Sequence, residues 1–338
     1  MFPPLLEDFL TIDSGVSHVI AASGFHRETM RESLLGHIYP QAQHIPVAAT
    51  EGIGSTVPGD PEQLLALNAD AIFSWTWFSE PLQRLGLPVA GLRFSPSRKQ
   101  AEHDTFESWR SMAALAGRRT RAEEVIARYL VKMNAVEQES SRMNTRPPTV
   151  LFLYLYRPGL IGAAGGDLYT SQLIEMAHGE NESASYSQGL LNIEELLMHD
   201  PDVILYSCGG EDADCNRWFA HDPALQPLRA LQARKIYRSP AGYYRVELVN
   251  SPLLLRWMAE LLHPDQMPHA LRQEYRATYH EVYGYDLSDE EIDAAIFVKD
   301  NLASSGYARF LVNSENKTEP KAATPNAGTG AIQKERGR

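Results

Sequence analysis

Residues 62–73 read Glu-Gln-Leu-Leu-Ala-Leu-Asn-Ala-Asp-Ala-Ile-Phe, and residues 194–205 read Glu-Glu-Leu-Leu-Met-His-Asp-Pro-Asp-Val-Ile-Leu. Without a gap, Glu62, Leu64, Leu65, Asp70 and Ile72 fall on Glu194, Leu196, Leu197, Asp202 and Ile204. Each copy reads as a short helix, a tight turn and a buried strand. A repeat at this separation predicts two lobes of similar build, and two lobes imply a cleft between them.

Working outward, the chain alternates apolar β-rich segments with helical patterns. Val19–Ala22, Pro46–Ala49, Ala71–Ser74 and Pro88–Leu92 are predicted strands of the first half; Thr149–Tyr156, Val203–Ser207 and Lys235–Tyr237 are those of the second. Strands that read as continuous apolar runs between helices predict an α/β protein with mostly parallel sheets covered on both faces. In such sheets ligands bind beyond the carboxyl ends of the strands. Between the halves a helix runs from about Asp104 to Leu115, closed by Gly117. From Arg118 to about Met143 there is then neither Gly nor Pro, and Ala122, Val125, Ile126, Tyr129, Leu130 and Met133 recur at helical spacing. Some 25 residues at about 1.5 Å each predict a long rigid helix joining two Rossmann-like lobes. A stiff connector of this kind predicts only a modest closing motion. Arg146-Pro147-Pro148 stops it. Helices Ser251–Leu262 and His269–Tyr283 follow, and Ser288-Asp-Glu-Glu291 is a capping box for a last helix reaching about Leu302. The expected division is 1–117 (first lobe), 118–146 (connector), 147–312 (second lobe) and 313–338, a tail with almost nothing apolar that reads as disordered.

Bulk properties narrow the partners. At 338 residues, 43% hydrophobic and 22% charged, the chain can bury a large core. A net charge of −12 argues against nucleic acid, which needs clustered Lys and Arg. No apolar run approaches the roughly 20 residues that span a bilayer. The start, Met1-Phe2-Pro3-Pro4-Leu5-Leu6, lacks the features of a signal peptide. Cys208 and Cys215 are the only cysteines, and their separation fits a disulfide or two free thiols equally.

Four stretches together resemble the class III substrate-binding proteins of bacterial ABC importers, the group serving ferric siderophores, haem and cobalamin. They are the repeated Glu-x-Leu-Leu…Asp-x-Ile phrase, the segment Gly165-Gly166-Asp167 through Gly179-Glu180-Asn181, the long helix after Leu115-Ala116-Gly117, and Trp257–Pro264 with Tyr279–Gly284. They cover most of residues 15–300. The resemblance implies a periplasmic, monomeric, non-enzymatic protein without a cofactor, which passes its ligand to a permease. Ala69 stands where the family's phrase has proline. The family also begins with a signal peptide and a strand, so the resemblance implies a mis-set start codon and a chain that opens inside its first strand at residues 2–6.

Candidate residues follow from both readings. Glu62 and Glu194 lead the repeated helices; the resemblance assigns them to permease docking, whereas helix physics alone makes them favourable first-turn acids. At the carboxyl ends of strands lie His26, Trp75 and Trp77 in the first half, and Tyr156, Arg157, Tyr243, Tyr244 and Arg245 in the second. Rings supply area and guanidinium groups pair with carboxylate or catecholate oxygens, which suits an anionic metal chelate, above all a ferric siderophore. Trp75 and Trp77 are equally able to pack beneath a cleft, and Tyr243 and Tyr244 to be half-buried loop residues. Haem, cobalamin or a bare metal are the alternatives, although the eleven histidines are scattered without a metal-binding motif. Gly162-Ala-Ala-Gly165-Gly166 precedes a helix but lacks the Lys-Ser/Thr of a phosphate loop, so a tight turn is its better explanation. No nucleophile elbow is present. A cytosolic sensor or an enzyme subunit of the same two-lobed build is the remaining class.

Overall fold

The computed structural model describes residues 3–23, 30, 33–49, 61–157, 160–185, 189–207, 222–240 and 246–312. Its first element corrects the sequence reading. Pro3–Asp13 is a helix, not the end of a strand. Proline is at home in a first helical turn, and Leu5, Leu6, Phe9, Leu10 and Ile12 recur at helical spacing and are buried.

Among the described residues ten strands follow: β1 (Ala22–Ser23), β2 (Val47–Ala49), β3 (Ile72–Trp75), β4 (Val89–Leu92), β5 (Thr149–Arg157), β6 (Leu160–Ala163), β7 (Glu180–Asn181), β8 (Gly189–Leu191), β9 (Val203–Tyr206) and β10 (Ile236–Arg238). In the first half β1 pairs with β2 and β3 with β4, both parallel, as two separate sheets. In the second half one sheet runs β10-β9-β5-β6-β8, with β7 also on β5. Its β5, β7, β9 and β10 are mutually parallel, whereas β6 and β8 join antiparallel. The α/β class is as the apolar runs predict.

The repeated phrase folds twice into the same local form. Helix Pro61–Ala66 leads to β3, and helix Ile193–His199 leads to β9. The reversal between them is made at matching positions by Asn68 (φ 46°) and Asp200 (φ 39°). Asn and Asp enter the left-handed region more readily than other residues with a Cβ. Each strand then turns its isoleucine amide to the next strand: Ile72 N–H donates to Pro88 at 2.8 Å and Ile204 N–H to Lys235 at 3.0 Å.

Helix Ala101–Leu115 begins a turn before the expected Asp104. Gly117 (φ 69°) reverses the chain, and Arg119–Ser140 forms a helix of 22 residues, about 33 Å long. It ends three residues short of Met143, and Leu130 lies 39% exposed rather than in the buried stripe. That stripe is Ala122, Val125, Ile126, Tyr129, Met133 and Val136. One continuous apolar cluster runs from Phe9, Phe73 and Trp75 through Trp109 and Tyr129 to Phe152, Trp257 and Tyr307. Both halves therefore meet around this helix. Tyr129 donates to Glu102 at 2.8 Å and shares a 2.7 Å hydrogen bond with Tyr169. Burial pushes both phenols up, so they stay neutral.

Helices Asn250–Leu262 and Leu271–Tyr283 follow, the second closed by Gly284 (φ 64°). Ser288 and Glu291 form the expected capping box. The helix it starts ends at Ala295, because Phe297 (φ 51°) breaks it before Val298–Asn301. This C-terminal part touches the first half: Tyr283 and Thr11 hydroxyls lie 3.0 Å apart, and His37 Nδ1 lies 3.0 Å from Glu291. Among the described residues no helix is long and apolar enough to cross a membrane.

Candidate functional site

Strand β3 runs directly into helix Thr76–Arg84, so the tryptophans at that junction point different ways. Trp75 ends the strand and is 7% exposed; Trp77, two residues on, is 53% exposed. Their rings stack with centroids 5.4 Å apart and planes 17° from parallel. Phe94, two residues past β4, tilts against Trp75 at 5.5 Å and meets Trp77 edge-on at 6.1 Å. Such ring pairs contribute about 0.5–1.5 kcal/mol each beyond their burial. The two sequence alternatives thus divide between the rings: Trp75 is packed beneath, and Trp77 presents an indole to the outside. Phe94 was missed. The rule that nominated Trp75, an aromatic at the carboxyl end of a buried strand, applies to it equally.

Past Phe94 the chain ties the halves together. Tyr169 N–H donates to Pro96 at 2.8 Å, Arg98 N–H donates to Asp167 at 2.9 Å, and Ser97 pairs with Leu168. The Arg98 guanidinium grips both carboxylate oxygens of Glu175 at 2.8 and 2.7 Å. The glycine run read as a tight turn has a packing reason: a Cβ on Gly166 would stand 2.3 Å from the Ala184 carbonyl oxygen. The helix behind it, Tyr169–Met176, spends its first amide on the Pro96 carbonyl.

Tyr156 and Arg157 end β5, beyond its last pairing with β9 at Leu153 and Tyr206, and pair instead with Ile161 and Leu160. They stand at the carboxyl end of the central strand. His26, Tyr243, Tyr244, Arg245, Cys208 and Cys215 lie outside the described residues. Pro240 and Glu247, which flank residues 241–245 in the chain, line a cavity of about 230 Å³. Its other walls include Glu7, Asp8 and Thr11 from the first helix, and Tyr275 and Tyr279. Burial pushes both of these phenols up, so they remain neutral. The cavity thus lies between the first helix and the C-terminal helices.

Glu62 and Glu194 are both exposed, in the first turns of their helices. In the second copy the helix-stabilising role belongs to a neighbour. Glu195 accepts the Asn192 amide at 2.8 Å and completes the capping box, so Glu194 is not needed for it. Among the described residues no three His, Cys, Asp or Glu converge to hold a metal ion.

An α/β chain with a 22-residue helix between its halves and an aromatic group at the ends of parallel strands has counterparts among known proteins. Residues 40–243 match the family described as periplasmic binding protein, and the chain belongs to that family. Solved structures that share its fold are described as periplasmic solute-binding or ABC transporter substrate-binding proteins. A periplasmic solute-binding protein from Veillonella parvula shares the fold with a TM-score of 0.74 at 20% identity, over 89% of this chain and 91% of that one. MolA, the molybdate periplasmic binding protein of a Haemophilus influenzae ABC transporter, gives 0.69 at 15% identity, over 84% and 91%. The periplasmic haem-binding protein RhuT from Roseiflexus sp. RS-1 gives 0.59 at 19%, over 77% and 95%. Sequence comparison with curated proteins finds no match.

Proposed function

We propose that this periplasmic solute-binding protein captures a metal chelate, a ferric siderophore, and delivers it to the permease of an ABC importer. It acts as a monomer of two lobes, 1–117 and 147–312, joined by the connector 118–146, with the ligand held between them and 313–338 as a tail. The reading rests above all on the half-exposed indole of Trp77 stacked on buried Trp75 and braced by Phe94. A ring fixed from beneath offers its outer face at little entropic cost, which suits a ligand with catecholate or other planar groups. Arg157 and Arg245 would pair with its anionic oxygens, with Tyr156, Tyr243, Tyr244 and His26 around them. A haem-binding reading shares the same observation, since a tetrapyrrole is also planar.

Glu62 and Glu194 would meet cationic groups on the permease, one per lobe. Reversal of both to Lys should abolish uptake and leave ligand affinity intact.

The test is a titration of the purified protein with ferric siderophores, haem, cobalamin, molybdate and free metal ions, followed by tryptophan fluorescence and calorimetry. Saturable binding of a ferric siderophore, weakened at least tenfold by Trp77→Ala, is expected. Saturation by haem alone would replace the siderophore with a tetrapyrrole. Binding of free metal without a chelator, or silence from a folded protein, would overturn the chelate reading.

A further inference from the structure

Tyr275, Tyr279 and Tyr283 stand four residues apart on helix Leu271–Tyr283 and so share one face. Their rings form a ladder. The first two stack with centroids 6.2 Å apart and planes 15° from parallel, and the next pair tilts at 5.3 Å. All three line the cavity of about 230 Å³ between this helix and the first one.

Their hydroxyls fare differently. Tyr283 meets the Thr11 hydroxyl at 3.0 Å. Tyr275 and Tyr279, only 3% and 4% exposed, meet no hydrogen-bond partner among the described residues. A buried hydroxyl without a partner is destabilising, and phenylalanine would fill the same space without that penalty.

The rest of the wall is anionic. Glu7, Asp8, Glu247 and Glu291 line it, and among the described residues no lysine or arginine does. Glu291 is engaged by Tyr285 at 2.6 Å and by His37 at 3.0 Å. The carboxylate of half-buried Glu247 accepts the Asn250 side-chain amide at 2.8 Å and meets no cationic side chain among the described residues. Burial and, after it, neighbouring groups that include Glu247 push the Tyr275 and Tyr279 phenols up, which sets that carboxylate beside both hydroxyls.

We propose, independently of the chelate reading, that this cavity is a binding site for a small organic cation, a protonated amine of a few carbons. An ammonium group brings donors and no acceptor, which matches a wall of carboxylate and phenol oxygens. The ring faces attract a cation as well. An anion would meet four carboxylates, and a neutral solute would leave Glu247 without a counter-charge. The volume is that of roughly seven waters in the liquid, which suits an amine of four or five carbons.

The test titrates the full-length protein with n-butylammonium, n-butanol and butyrate, followed by calorimetry and by NMR of ring-labelled tyrosines. Saturable binding of butylammonium alone is expected, with the Tyr275 and Tyr279 signals moving and thermal unfolding shifted upward. Glu247→Gln should weaken binding at least tenfold. Tyr275→Phe with Tyr279→Phe should weaken it at least threefold, while the free variant unfolds at or above the wild-type temperature. A double phenylalanine variant that melts lower and binds as the wild type does would make the hydroxyls structural and overturn the proposal. Equal binding of butanol, or no saturation by butylammonium, would overturn it as well.

Discussion

The two copies of the helix–turn–strand unit are alike inside and unlike in their surroundings. Both reverse through a left-handed Asn or Asp, and both send their isoleucine amide to the next strand. Yet β9 lies between β5 and β10, whereas among the described residues β3 pairs only with β4. Asp202 of the second copy accepts the Thr149 amide at 3.0 Å and its hydroxyl at 3.1 Å, and pairs with Arg229 at 2.7 Å. Partial burial alone would raise its carboxyl, but the Thr149 hydrogen bonds and the Arg229 charge hold it below the usual carboxylate range. Asp70, its counterpart, is exposed. Where β9 meets β5, β3 meets a small apolar cavity of about 80 Å³ lined by Ala22, Ala48, Ala71, Ile72 and Phe73. The same local code thus yields a strand held on both edges in one half and, among the described residues, on one edge in the other.

Three measurements would break or sharpen this contrast. The largest effect is expected deep in the second half, at Glu260, which is 1% exposed. Burial, opposed by the Ala270 amide and Arg309, pushes its carboxyl up to about 7 from an ordinary 4.5. The folded state then holds a proton that the unfolded chain releases, so this contribution is complete below pH 4.5 and is lost as pH rises towards 7. The total is on the order of 3 kcal/mol. Urea unfolding across that window should show the decline, and Glu260→Gln should flatten it; a flat wild-type profile would refute the assignment.

Next comes the pair of aspartates. Asp202→Ala removes an acceptor shared by two donors and a guanidinium, and should cost about 2 kcal/mol. Asp70→Ala should stay within roughly 0.5 kcal/mol. Equal costs in denaturant unfolding would mean that the copies are supported alike. The smallest expected effect lies in the amides. A parallel strand alternates its amides between neighbours, so Leu205 faces β5 and Phe73 faces the cavity. Hydrogen exchange at Phe73 should exceed that at Leu205 by at least tenfold, on the order of 1.4 kcal/mol. Comparable protection would show that β3 has a second partner.

Much of this was legible in the chain. Strands covered on both faces read as unbroken apolar runs, which is why β3, β4, β5 and β9 lie within a residue or two of their predicted places. The capping box at Ser288 was legible because both partners lie within one turn. Pro3–Asp13 was misread because its leucines were aligned by resemblance, while their spacing is helical. The aromatic group was half legible. Trp75 and Trp77 stood out, but Phe94 follows a different strand, β4, and only the pairing of β3 with β4 brings the three rings together.

The sequence alone determined the repeated unit, the α/β class and the helical character of residues 119–140, since each is set by residues within a few positions of one another through periodicity, capping and turn chemistry. The tertiary structure alone decided which tryptophan is buried, which aspartate is held and which strand is paired on both edges. Those outcomes depend on groups far apart in the chain that share space only after folding, and local sequence carries no record of which neighbour will arrive.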